Sequence, residues 1–63
     1  MEKIIARKRA EELFNMGFET VRVTGYMGDL ADYREKIFDN IKIVEHYIED
    51  MPQNYYIQVS GVN

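Results

Sequence analysis

The chain has 63 residues, 46% apolar and 30% charged, with a net charge of −3, one histidine and no cysteine. That composition is globular rather than disordered and allows one domain at most, residues 1–63. It excludes disulfides and thiolate zinc sites, and with a lone histidine no metal or cofactor is expected.

No apolar run approaches the roughly 20 residues that span a bilayer, and the first fifteen residues hold no uninterrupted signal-peptide core. A soluble cytoplasmic protein without a membrane partner is the expectation. So short a chain hides only about 60% of the surface its unfolded form exposes. Self-association as a homodimer is therefore expected to support the fold.

Residues 2–16 predict a helix, being rich in Glu, Lys, Ala, Arg and Leu. Ile5, Ala6, Ala10, Leu13, Phe14 and Met16 fall on its apolar side, and Gly17 stands where a left-handed C-cap belongs. Residues 19–24 predict a strand, with Val21 and Val23 inward and Thr20, Arg22 and Thr24 outward. Gly25-Tyr26-Met27-Gly28 then forms a turn, with Asp29 as N-cap of the next helix and Asp32 in its first turn.

Residues 30–50 predict that helix, the longest of the chain. Leu30, Tyr33, Ile37, Ile41, Val44, Ile48 and Met51 recur at spacings of three and four and form one seam, which Pro52 ends. Phe38 and Ile43 lie off the seam and are the expected dimerisation residues. Residues 55–60 predict a second strand, with Tyr55, Ile57 and Val59 on one face and Tyr56, Gln58 and Ser60 on the other; the tail after Gly61 is expected to fray.

The strings Val21-Arg22-Val23-Thr24-Gly25 and Ile57-Gln58-Val59-Ser60-Gly61 are alike: β-branched, polar, β-branched, hydroxyl, glycine. Each follows a helix-like stretch, so the chain reads as one helix–strand unit written twice. The expected fold class is a small α/β (α+β-like) domain of αβαβ order. Two helices pack on one face of a short parallel two-stranded sheet, which dimerisation can extend.

Chemical signals are weak. The strand-Gly25-x-x-Gly28-helix outline resembles a phosphate-binding turn, but Asp29 stands where the anion would sit. His46, with Lys42, Asp50 and Asp39 at helical spacing, reads as a surface ion pair rather than a metal site. No nucleophile–base constellation is present, so no enzyme is expected.

The expected function is a non-enzymatic interaction or regulatory module binding an unidentified protein. Its surfaces are the polar sheet face (Thr20, Arg22, Thr24, Tyr56, Gln58, Ser60) and an acidic helix ridge (Asp32, Glu35, Asp39). The alternative is nucleic-acid binding through Lys3, Arg7, Lys8 and Arg9 on the first helix, with Arg22 and an exposed Tyr26 or Tyr56. A sequence pI near 5.0 disfavours it.

Overall fold

The computed structural model describes residues 1–28 and 32–63. The order is α1 (Lys3–Asn15), β1 (Thr20–Tyr26), β2 (Tyr33–Phe38), α2 (Ile41–Asp50) and β3 (Tyr56–Val62). The strands form one sheet in the order β2-β1-β3, with both neighbours antiparallel to the central β1. This overturns the expected αβαβ order and parallel two-stranded sheet. The segment read as the first half of a long helix is an edge strand. β1 and β2 form a hairpin, and α2 carries the chain across β1 to β3.

The correction has a local cause. Asn40 has an extended backbone, and its side-chain oxygen accepts from the N–H of Lys42 at 2.9 Å and of Ile43 at 3.3 Å. It is thus the N-cap of α2, a contact of the kind that contributes about 1 kcal/mol. The helix starts there, and Ile41, Val44, Ile48 and Met51 are its inward stripe. Asp29 and Leu30, expected to open the long helix, lie outside the described residues. Asp32 precedes a strand, with its carbonyl accepting from the Met27 N–H at 3.1 Å.

Helix α1 ends as its sequence predicts. Gly17 takes φ +102°, its N–H donates to the Phe14 carbonyl, and the Phe18 N–H reaches the Leu13 carbonyl, which satisfies the last carbonyls of the helix. Ala6, Ala10 and Leu13 are buried. Ile5 and Met16, expected inward, are 52% and 66% exposed. The small alanines let α1 approach both the sheet and α2 closely.

Both helices cover one face of the sheet. The core joins Val21, Val23, Phe38, Tyr55, Ile57 and Val59 from the sheet side to Ala6, Ala10, Leu13, Val44, Ile48 and Met51 from the helix side. Phe38 is only 7% exposed and meets the Tyr47 ring at 4.9 Å between centroids. It faces inward because it lies opposite Val21, so it is a core residue and not a dimer contact. Ile43, its expected companion, is exposed on α2.

The two similar strings are neighbours in the sheet, paired residue for residue about Val23↔Val59. Val21 lies opposite Gly61, Arg22 opposite Ser60, Thr24 opposite Gln58 and Gly25 opposite Ile57. The string is therefore self-complementary in antiparallel register. The ladder continues to Thr20↔Val62, where the Thr20 hydroxyl also donates to the Val62 carbonyl at 2.6 Å, so the expected fraying after Gly61 does not occur.

Candidate functional site

Opposite side chains of an antiparallel pair share a face, so the register fixes what the helices leave uncovered. That open face is built of cross-strand rows: Ile37–Arg22–Ser60, then Glu35–Thr24–Gln58, then Tyr33–Tyr26–Tyr56, with Thr20–Val62 beside the first. Together with Met1 and Gly28, most of these residues line a shallow concavity.

The six expected sheet-face residues (Thr20, Arg22, Thr24, Tyr56, Gln58 and Ser60) lie together on this surface. Sequence reasoning missed Tyr33 and Ile37, which it assigned to a helix seam, and placed Tyr26 in a turn. The signals that could have found them are Phe38, off the helical seam but in phase with an inward strand position, and Asn40, a strong N-cap just before Ile41.

The tyrosine row is the distinctive element. The Tyr26 and Tyr56 rings lie 5.6 Å apart, tilted by 30°. Tyr33 closes the row on the other edge, and its hydroxyl donates to Glu35 Oε2 at 2.8 Å. That bond holds the phenol above its ordinary value of 10.0, with further raising by slight desolvation and the Glu35 charge, against smaller lowering effects of Thr24 and Arg22. A raised phenol favours the protonated, folded form. This contribution is fully present below pH 10 and is lost as pH rises through the folded value. In Glu35→Ala, the Tyr33 titration followed by ultraviolet absorbance or NMR is expected to move down toward 10.0; an unchanged midpoint would contradict the bond.

Arg22 is held loosely. Its Nε is shielded from solvent without a hydrogen bond, and the nearest carboxylate oxygen, Glu35 Oε1, stands 3.9 Å away. The pair is near neutral and partly exposed, so it adds little to stability. Arg22 and Glu35 offset each other's charge on this face.

The expected acidic ridge does not form, because its residues sit on different elements. Glu35 belongs to the open face. Asp39 lies between β2 and α2. Asp32 accepts from the Tyr55 hydroxyl and pairs with Arg34 at 3.7 Å, while the Arg34 guanidinium sits 5.1 Å from the centre of the Tyr55 ring.

The expected nucleic-acid groups are likewise divided. Lys3 donates to the Glu49 carbonyl at 2.7 Å, and Arg7 pairs with Glu49 at 3.0 Å. Both tie α1 to the end of α2. Lys8 and Arg9 are exposed on the helix layer, on the far side of the sheet from Arg22 and the tyrosines, so no single surface combines them.

The glycine turn is also dissolved. Gly25 lies within β1 beneath Met51, and β2 rather than a helix follows. His46 stands beside Arg7, Lys42, Glu45 and Glu49 in a groove between the helices. Among the described residues no group of three or more His, Cys, Asp or Glu side chains is placed to hold a metal ion, and no helix is long and apolar enough to cross a membrane.

Compared with protein-family models, with curated proteins and with solved structures, the chain matches none.

Proposed function

We propose that this protein is a non-enzymatic interaction module whose recognition surface is the open sheet face. The observation that carries the reading is the Tyr33–Tyr26–Tyr56 row on the one layer the helices leave bare. Tyrosine offers a rigid apolar ring with a polar tip, and Tyr and Arg are enriched at protein interfaces while Lys, Glu and Asp are depleted. The face has this character: three tyrosines, Ile37, small hydroxyl and amide groups, and a single Arg22–Glu35 pair. A protein partner with a similarly uncharged surface fits it. A cytoplasmic setting belongs to the same proposal, since a chain without cysteine is indifferent to a reducing compartment.

The test is affinity capture from native cells with mass spectrometry and nucleic-acid readout. Tyr33→Ser/Tyr56→Ser is compared with the helix-layer control Lys8→Glu/Ile43→Lys, each first checked for folding by circular dichroism. Wild type and control are expected to retain one common protein partner, and the tyrosine variant to lose it by about tenfold or more, as truncation of interface aromatics does. Retention by the tyrosine variant, or capture of nucleic acid that weakens steeply with salt, would overturn the reading.

A further inference from the structure

The two edges of the sheet differ sharply. The β2 edge carries Arg34, Glu35 and Lys36 among its six residues. Such charges, lysine above all, block pairing with another strand. The β3 edge, Tyr56-Ile57-Gln58-Val59-Ser60-Gly61-Val62, carries no charge and no proline.

The Ile57 carbonyl is turned away from β1, where the Met1 amine reaches it at 3.2 Å. By the alternation of an antiparallel strand, Val59 and Gly61 present their N–H and C=O groups on that same outer side.

The fold itself shows what such an edge accepts. The β1 string pairs with the β3 string about a central valine, and the two strings have the same pattern. A second β3 can take the same kind of side-chain pairing, with Ile57 opposite the partner's Gly61, Gln58 opposite the partner's Ser60, and Val59 opposite the partner's Val59, the last now a hydrogen-bonded pair where Val23–Val59 is a non-hydrogen-bonded one. The three residues with outward backbone groups then meet one another, as a ladder requires.

Helix α1 supplies an independent observation. Lys3 and Arg7 turn toward α2, and Ala6, Ala10 and Leu13 face the core. By helical geometry the remaining flank, away from α2 and above the outer edge of β3, carries Ile5, Arg9, Glu12 and Met16. Of the large apolar side chains exposed along α1, namely Ile4, Ile5 and Met16, this flank carries Ile5 and Met16. Met1 lies near Ile57, and Phe18 lies against the position where a Gly61 side chain would stand, so α1 runs alongside β3 in the same direction. A twofold axis at Val59 therefore brings two α1 flanks together antiparallel. One register places Ile5 beside the partner's Met16 and Arg9 beside the partner's Glu12. Apolar and charged groups are complementary in that register.

We infer that the protein forms a twofold dimer through β3–β3 edge pairing and the Ile5–Met16 flank of α1, giving a six-stranded sheet of order 2-1-3-3-1-2. The Met1 amine yields the Ile57 carbonyl to the partner's Gly61 N–H. This goes beyond the recognition reading and is independent of it, although it makes the two open faces one continuous surface.

Sedimentation velocity of the full chain from about 1 to 100 μM, the range of moderate affinities, tests it. Wild type is expected to reach twice the 7.5 kDa chain mass, and amide exchange at Val59 and Gly61 to slow as concentration rises. Gln58→Glu/Ser60→Glu keeps the carboxylate introduced at the second position opposite Arg22 within the chain but faces carboxylates across the seam. It is expected to weaken association by about tenfold or more. Mixing it with Gln58→Lys/Ser60→Lys should restore the dimer as a heterodimer. Ile5→Glu, on the helix layer, should weaken the dimer while leaving capture through the tyrosine row unchanged, which separates this proposal from the preceding one. A chain that stays monomeric throughout, or a dimer that tolerates both glutamate variants and is broken by Ile43→Glu, overturns it.

Discussion

Gly61→Ala is expected to destabilise the protein by about 2 kcal/mol, within the usual range for overpacking a tight site. Gly25→Ala should cost clearly less. Both glycines stand on the buried face at opposite ends of the β1–β3 ladder, and neither has a positive φ. Their backbones would accept alanine, and the reduced freedom of the unfolded chain would favour it by about 0.4–1 kcal/mol. Space decides instead.

A Cβ at Gly61 falls 2.5–2.7 Å from Cδ1, Cγ and Cε1 of Phe18. Those atoms belong to one rigid ring, so relief requires the whole side chain, and the α1–β1 link with it, to shift. A Cβ at Gly25 meets Met51 Sδ at 2.5 Å and Cε at 2.7 Å, with Tyr55 Cδ2 farther off at 3.3 Å. Those Met51 atoms end a flexible thioether that moves by rotamer change. Urea denaturation of the two variants at matched concentration measures the difference. In the double variant Phe18→Leu/Gly61→Ala the losses should be less than additive, because removing the ring removes the clash. Equal stability of Gly61→Ala and Gly25→Ala would show that the ring is not what requires the glycine.

Legibility of the fold in the sequence varied with how well one period excluded the other. In residues 3–15 and 56–60, and within 20–24, the expected and observed elements agree, because a run of strong helix formers in the first and strict alternation in the others leave a single choice. Residues 33–38 are different. Tyr33 and Ile37 are four apart, a spacing that shares a face in a helix and in a strand alike, so their place in a spacing-three-and-four seam carried no information about which element they form. Arg34, Glu35 and Lys36 favour helix locally, yet they are also the charges that suit a sheet edge.

The deciding signals were short. Phe38 sat outside any helical stripe but is in phase with an inward strand position, and Asn40 is a strong N-cap immediately before Ile41-Lys42-Ile43-Val44. Missing that boundary merged a strand with a helix. It turned an antiparallel hairpin into a parallel crossover and sent Phe38 to an interface. The β1 and β3 residues expected on one open sheet face do lie together there, because that placement depends only on alternation within their own strands. The third strand of that face, with Tyr33 and Ile37, depended on the misread segment and was lost.

The same ambiguity gives the sharpest energetic contrast within the chain. Ile37 and Ile48 occupy equivalent positions on a continuous helical seam, and a single long helix would make them comparable core residues. In the structure Ile48 is fully buried in α2 at the centre of the core, whereas Ile37 is 50% exposed on the open sheet face. Ile48→Ala should therefore cost about 3 kcal/mol, from lost burial plus the cavity that Val23, Val44 and their neighbours cannot fully close. A chain of this length has a total stability of roughly 3–9 kcal/mol, so the variant sits at or near the edge of folding, with a fall in Tm of about 12–24 °C.

Ile37→Ala should stay within about 1 kcal/mol, and Ile43→Ala, on the exposed side of α2, within about 0.5 kcal/mol. Thermal unfolding by circular dichroism at one fixed protein concentration is the measurement, since any self-association makes Tm depend on concentration. If Ile37→Ala unfolds the protein as readily as Ile48→Ala, the strand assignment of residues 33–38 fails, and the open face loses its third strand. If only Ile48→Ala does so, the tyrosine row and the β3 edge stand on a sheet whose core is set where α2, not a longer helix, crosses it.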